Sequence, residues 1–326
     1  MTNRPAVFIS GRIPSIAREI LSRHYEVRMS DTIVPLAKAQ IMEQMAGCDA
    51  LLPILSDSID REVIASNPQL KIIANYGAGY NNIDVAEATA RGIPVTNTPH
   101  VSTNATADFT MGLLIAAARR LVEGDRTTRQ GRFTGWAPLY HLGVEVTGKT
   151  LGIIGLGSIG QAVARRAQAF VMKVIYNSRT RLAVEEERRL NVSYASLDEL
   201  LSVSDFVSLH ASYHPSIRHM IGEAQLQAMK PSAYLINAAR GPLVHEEALL
   251  HALQSGIIAG AALDVYEFEP QVTEGLKQLD NVILAPHLGN ATVETREAMA
   301  RLAADNIHAV LQGGRPLTCV NPEVLG

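Results

Sequence analysis

Thr150-Leu-Gly-Ile-Ile-Gly-Leu-Gly-Ser-Ile-Gly160, running on into Gln161-Ala-Val-Ala-Arg-Arg-Ala-Gln-Ala-Phe170, decides the fold. Thr150–Ile154 is an apolar run of strand length, and Gln161–Phe170 has helical spacing. Between them stands Gly155-x-Gly157-x-x-Gly160. Strand, glycine turn and helix in that order form the context a dinucleotide-binding loop needs. The first glycine permits the tight turn, the second removes a Cβ that would block a pyrophosphate, and the third lets helix and strand pack closely. Backbone N–H groups at the helix start then face the phosphate charge. Gly155, Leu156, Gly157, Ser158, Ile159 and Gly160 are therefore the candidate phosphate cradle.

Downstream lies the choice of dinucleotide. NAD sites carry Asp or Glu at the end of the second strand, about twenty residues on, to hold the ribose hydroxyls. Here that strand ends Val174-Ile-Tyr-Asn177-Ser178-Arg179-Thr-Arg181, with no acid. Arg179 and Arg181 would pair with a 2′-phosphate and Ser178 would donate to it, whereas a carboxylate would repel it. The expectation is NADP(H), preferred over NAD(H).

Working outward, short apolar runs alternate with helical patterns, the mark of a parallel α/β sheet. Upstream strand candidates are Ala6–Ser10, Tyr25–Met29, Ala50–Leu55, Lys71–Tyr76 and Val95–Asn97. Downstream of the glycine loop they are Val174–Asn177, Phe206–Leu209, Ala233–Asn237, Gly260–Val265 and Val282–Ala285. Helices are expected over Pro14–Arg23, Leu36–Met45, Ser102–Leu121 and Glu294–Leu311, and a capping box at Ser196–Glu199 opens another. At 326 residues the chain exceeds one ordinary core. Periodicity alone suggests a border near residue 145.

Composition narrows the function classes. With 47% apolar and 19% charged residues the chain is globular, and a net charge of −3 disfavours nucleic acid or anionic membrane as a partner. It shows no signal-peptide core and no run long enough for a membrane span, so a cytoplasmic protein is expected. Cys48 and Cys319 lack metal-ligand spacing, and no metal is expected.

Three further segments follow strands, where ligands collect in open α/β sheets. They are Asn237-Ala-Ala-Arg240-Gly241, Asp264-Val-Tyr-Glu267-Phe-Glu269-Pro270 and Pro286-His287-Leu-Gly289. Reduction of a ketone needs a proton donor at the oxygen, a task suited to His near neutral pH. A carboxylate bonded to the other ring nitrogen would favour the protonated ring and fix its orientation. Glu269 and His287 form that pair, and Arg240 offers a forked cation for a substrate carboxylate. Each residue alone also has a bland reading: loop arginine, surface turn, structural histidine. In the first half, Asn75-Tyr-Gly77-Ala-Gly79-Tyr-Asn-Asn-Ile-Asp84 presents glycines after a strand, where backbone N–H groups can meet an anion.

Taken in order, these motifs, with Thr106-Ala-Asp108, resemble the D-isomer-specific 2-hydroxyacid dehydrogenase family over nearly the whole chain. Leu55-Ser56 and Asn177-Ser-Arg179 resemble its glyoxylate/hydroxypyruvate reductase branch. The resemblance implies two doubly wound parallel-sheet domains, a flavodoxin-like substrate domain (1–100 and 290–326) and a Rossmann cofactor domain (101–289), with the active site in the cleft between them. It implies Arg240, Glu269 and His287 as catalytic residues. Leu55, Tyr76, Gly77, Ala78 and Gly79 would line the substrate. Thr106, His210, Ala211, Ala238, Ala239, Asp264 and Gly289 would join Asn177 and the arginines around the cofactor, with Asp264 on the nicotinamide carboxamide. A homodimer is implied, with a segment like Arg129–Leu142 reaching across.

The implied activity is reduction of glyoxylate or hydroxypyruvate to the D-2-hydroxyacid. Aromatic or sugar-derived 2-oxoacids are alternatives, and so, from another class, is a dinucleotide-sensing binding protein on the same fold. Departures from the family pattern are Ser212-Tyr213-His214, Ile217, and Asn290 in place of a serine.

Overall fold

Most of the apolar runs lie buried on both faces between helices, which is why they pair in parallel. In the computed structural model, which describes residues 4–326, the chain divides into two units. One comprises the residues up to Ser102 together with Thr292–Gly326; the other is Thr103–Ala291.

The first unit holds strands β1 (Ala6–Ile9), β2 (Glu26–Met29), β3 (Ala50–Leu52), β4 (Ile72–Ala74) and β5 (Val95–Thr96). Their order β2-β1-β3-β4-β5 is the flavodoxin-like one. The C-terminal helix Val293–Leu311 returns to this unit. Met299, Ala300, Ala303, Ala304 and Ile307 recur at helical spacing and pack with Ala17, Leu21 and Ile72. Thr292 caps its start by accepting the Thr295 N–H at 3.2 Å, and Gly313, at φ 79°, follows its end.

The second unit holds β6 (Thr150–Ile154), β7 (Lys173–Asn177), β8 (Ser193–Tyr194), β9 (Phe206–Leu209), β10 (Tyr234–Asn237), β11 (Gly260–Leu263) and β12 (Val282–Leu284). They run β12-β11-β10-β9-β6-β7-β8, a Rossmann order extended by one strand, with the switch point between β6 and β9. Strand β8 was not expected, because two exposed residues carry no apolar run. The helix expected to reach Leu121 is Thr103–Ala118. Arg120 takes a left-handed φ of 51° and a second helix, Leu121–Arg129, begins. Ion pairs Arg120–Glu123 and Arg129–Asp125 support that exposed helix. Ser196 caps its helix by accepting the Glu199 N–H at 3.2 Å. Cys48 and Cys319 are free thiols. Among the described residues no helix is long and apolar enough to cross a membrane, and no group of three or more His, Cys, Asp or Glu could hold a metal ion.

Among the left-handed positions occupied by residues other than glycine, Val171 is the β-branched one. After the helix Ser158–Ala169, Val171 sits at φ 59° and is 66% exposed, so a β-branched residue occupies a left-handed site without burying its side chain. Its N–H and C=O still bond Gln168 and Gly148, at 2.9 and 3.1 Å. Val171→Gly is therefore expected to stabilise the protein by about 1 kcal/mol, raising Tm by roughly 2–4 °C. A lowered Tm or urea midpoint would contradict this account.

Candidate active site

At the end of β6, Gly155 adopts φ 96°, and a Cβ there would fall 2.4 Å from the Ala211 nitrogen. The glycine turn thus lies directly against the end of β9, at the switch point. A Cβ on Gly160 would come within 2.2 Å of the Gly155 oxygen. At Gly157, which precedes the first turn of the helix Ser158–Ala169, nothing lies within 4 Å of such an atom. The outer glycines close the turn and the middle one leaves bare backbone at a helix N-terminus, a cradle that fits a pyrophosphate.

Beside the cradle, Asn177 donates to the Ala195 oxygen at 2.9 Å, and the Ser178 hydroxyl donates to Thr180 O at 2.6 Å. Arg181 makes a two-point ion pair with Glu187, at 2.8 and 3.0 Å, and lies over the Tyr194 ring. The Tyr176 hydroxyl donates to the same carboxylate at 2.8 Å. Arg181 was expected to share a 2′-phosphate with Arg179, but its charge is already met by Glu187. Arg179 is exposed and enters none of the ion pairs among the described residues. Burial holds the His210 imidazole down to about 4, with Nε2 2.8 Å from the Ser208 hydroxyl, so His210 is a neutral wall at ordinary pH.

The reactive groups sit at the ends of β10, β11 and β12. Asn237 shapes the first turn, donating to Arg240 O at 3.0 Å and accepting from the Ala239 N–H at 3.1 Å. Arg240 is half-buried and donates to Ala239 O at 2.7 Å; desolvation lowers its pKa, opposed by Glu269. His287 Nδ1 lies 3.0 Å from Glu269 Oε2, and Glu269 Oε1 accepts the Tyr266 N–H at 3.0 Å. Burial pushes Glu269 up, but the bond and charge of His287, the Tyr266 N–H and Arg240 outweigh it and hold the carboxyl below its ordinary value. Its neighbour Glu267 is turned elsewhere, accepting from Arg218 at 2.8 Å and lying 2.5 Å from His219. With one ring nitrogen engaged by Glu269, His287 keeps Nε2 for a ligand, a proton-transfer arrangement near a half-buried cation.

A family model for the D-isomer-specific 2-hydroxyacid dehydrogenase NAD-binding domain matches residues 111–289. The chain belongs to the D-isomer-specific 2-hydroxyacid dehydrogenases. A Staphylococcus epidermidis relative, provisionally named a 2-hydroxyacid dehydrogenase, is 51% identical over 315 residues, covering 97% of this chain and 99% of that protein. Among solved structures, a glyoxylate reductase from Paecilomyes thermophila is similar at TM-score 0.87 and 37% identity, covering 99% of this chain and all (100%) of that one. An NADPH-dependent glyoxylate/hydroxypyruvate reductase from Sinorhizobium meliloti, in complex with NADP and malonate, matches at TM-score 0.87 and 36% identity over 97% of each chain. The protein is an NAD(P)-dependent D-2-hydroxyacid dehydrogenase with an NAD-binding domain.

Within this dehydrogenase, Asp264 has a task not foreseen. Its carboxylate accepts the N–H groups of Leu288 and Gly289 at 2.6 and 2.8 Å, and its carbonyl accepts the His287 N–H at 2.9 Å. These bonds hold His287 at φ 56°. Burial pushes the Asp264 carboxyl up against those two N–H bonds. Asp264 thus fixes the histidine, where only a carboxamide contact was expected. Thr106 borders Gly289, with its Cγ2 3.4 Å from where a Gly289 Cβ would stand. Ala238 is buried next to these turns. Asn290 Oδ1 is buried without a partner, and His214 caps the turn Pro215–Ile217 by accepting the Ser216 N–H at 3.2 Å.

In the first unit, the carbonyls of Gly77, Ala78 and Gly79 accept from Thr98 N–H, Asn97 and Asn75 at 2.9, 2.6 and 2.7 Å. The N–H groups of Ala78 and Gly79 donate in none of the hydrogen bonds among the described residues. Leu55 lies over Gly77, where a Cβ would fall 2.3 Å from Leu55 Cδ2. Tyr76 departs from expectation: its ring is buried in the core beside the C-terminal helix, and its hydroxyl donates to Arg296 O at 2.8 Å. Burial pushes that phenol up to about 12.

Gly241 brings the first two reactive turns together, since a Cβ there would lie 1.8 Å from Tyr266 O and 2.5 Å from the Glu267 nitrogen. Gly241→Ala must part the Arg240 turn from the Glu269 loop, and kcat/KM is expected to fall about 10²-fold. Gly222→Ala, whose new methyl would meet its nearest atom at 3.5 Å, serves as the control and should stay within about twofold. Equal kinetics for both variants would refute this role.

Proposed function

We propose that the protein reduces a small 2-oxoacid, glyoxylate or hydroxypyruvate, to the D-2-hydroxyacid with NADPH. The observation that carries the reading is the Glu269–His287 pair at 3.0 Å in the same unit as the half-buried Arg240. Bound dihydronicotinamide supplies the hydride. Arg240 holds the substrate carboxylate and polarises its ketone. His287 delivers a proton from Nε2 to the carbonyl oxygen, while ionised Glu269 keeps the ring oriented and stabilises its charged form. Arg179 receives the 2′-phosphate. The activities of the Sinorhizobium meliloti and Paecilomyes thermophila enzymes support the substrate class, and the NADP complex of the former supports the cofactor. Trp136 and Leu139, each 84% exposed on the segment after Arg129, support a homodimer seated on that segment; a light-scattering mass of one chain would exclude it.

One kinetic series tests the reading. His287→Ala should lower kcat about 10²–10⁴-fold with glyoxylate or hydroxypyruvate. Because the folded pKa of Glu269 is depressed, its ionised form and the stability it contributes are present above about pH 4.3 and lost only as pH falls through the folded value. Turnover should therefore show no loss from Glu269 protonation between pH 7 and about 5. Arg179→Asp should reverse the preference for NADPH over NADH in kcat/KM; an unchanged ratio removes Arg179 from the phosphate site. Full turnover in His287→Ala would sink the mechanism.

A further inference from the structure

The first unit contains a cavity of about 750 Å³ that takes no part in the reading above. Three arginines line it from separate segments: Arg12 after β1, Arg18 in the helix Ile16–Leu21, and Arg296 in the C-terminal helix. The Arg296 guanidinium stands by the Tyr76 hydroxyl, which is itself anchored on the Arg296 carbonyl. Arg28, Arg61 and Arg91 of the same unit each have a carboxylate partner. Arg12, Arg18 and Arg296 enter none of the ion pairs among the described residues. Asp31 is the one acid on the wall, leaving an excess of two positive charges (three minus one) in a chain whose net charge is −3.

Three guanidinium groups around one carboxylate, with Arg12 and Arg18 exposed and Arg296 half-buried, repel one another, and an incoming anion relieves that repulsion. Guanidinium groups match carboxylate and phosphate oxygens in forked pairs, and their convergence from three segments suits a ligand with more than one anionic group. Ile13, Met29 and Ile33 supply apolar wall, and Ile33 is 84% exposed at the rim, so a short carbon skeleton has surface to lie against. The volume falls in the range of small-molecule sites.

We propose that this cavity binds a small organic anion bearing two or more negative charges, a polycarboxylate or a phosphate ester. Its lining contains none of Arg240, Glu269 and His287, so the proposal stands or falls apart from the proposed reduction.

Calorimetric titration of the full-length protein with citrate and with inorganic phosphate, at fixed ionic strength, tests the idea. The Arg12→Gln/Arg18→Gln double variant is expected to bind about tenfold or more weakly, with 2-oxoacid turnover within about twofold of the parent. Asp31→Asn should bind about two- to fivefold more tightly, a gain that misfolding cannot imitate. Arg240→Ala should retain the cavity's binding. Saturation by citrate alone supports a polycarboxylate ligand, and saturation by phosphate as well supports a phosphorylated one. Binding that vanishes in Arg240→Ala yet survives in the double variant overturns the proposal. So does failure of both probes to saturate with Kd below about 10 mM, or an Asp31→Asn variant that binds no tighter.

Discussion

The carboxylate of Asp264 is the constraint on which the rest of the reactive geometry depends. Buried at the end of β11, it accepts two consecutive N–H groups from the segment after β12, while its own carbonyl accepts a third. Those bonds oppose the cost of placing His287 in the left-handed region, about 1–2 kcal/mol for a residue with a Cβ. In return the imidazole is aimed by the backbone as well as by Glu269. Two neighbouring strand ends are stitched a second time by the Tyr266 hydroxyl, which donates to Ala285 O at 2.8 Å. A histidine fixed from both its main chain and its ring has little freedom left to lose in a transition state.

Close backbone approach is the second constraint, and glycine supplies it at two separate places in the same sheet. Gly155 and Gly160 let β6, its helix and the end of β9 meet where the strand order reverses. Gly241 lets the Arg240 turn rest on the main chain of the loop bearing Glu269. Cofactor cradle and reactive groups therefore share one architectural device, and both sit at C-terminal strand ends, where parallel α/β sheets leave a crevice.

Much of this was legible in the chain. Thr150–Ile154 and Phe206–Leu209 are strands at the bounds their apolar runs indicated, because strands buried on both faces are continuous in hydrophobicity. The spacing of Glu269 before its proline and His287 before its glycine placed both at strand ends, and the structure brings them to 3.0 Å. What escaped had no periodic signature. Strand β8 is two exposed residues, the break at Arg120 is a single left-handed residue, and the Arg181–Glu187 pair joins positions whose charges look equally free in sequence. Tyr76 misled for a related reason. It follows a strand and precedes the glycines, but side chains alternate along a strand, and its ring falls on the face covered by the C-terminal helix.

The charge balance around Arg240 connects this geometry to the chemistry of 2-oxoacids. A guanidinium keeps its proton even where burial lowers its pKa, so the cation persists in a desolvated setting. Glu269 is the negative group that acts on it, but that carboxylate also has His287 on Oε2 and the Tyr266 N–H on Oε1. Once His287 is protonated, the cations Arg240 and His287 face two carboxylates, Glu269 and Asp264. In the proposed reaction a substrate carboxylate is therefore held by the forked geometry of Arg240 and not by an excess of local charge. Preference for an acid over a simple carbonyl compound then rests on that fork, which two carboxylate oxygens engage and a lone ketone oxygen does not.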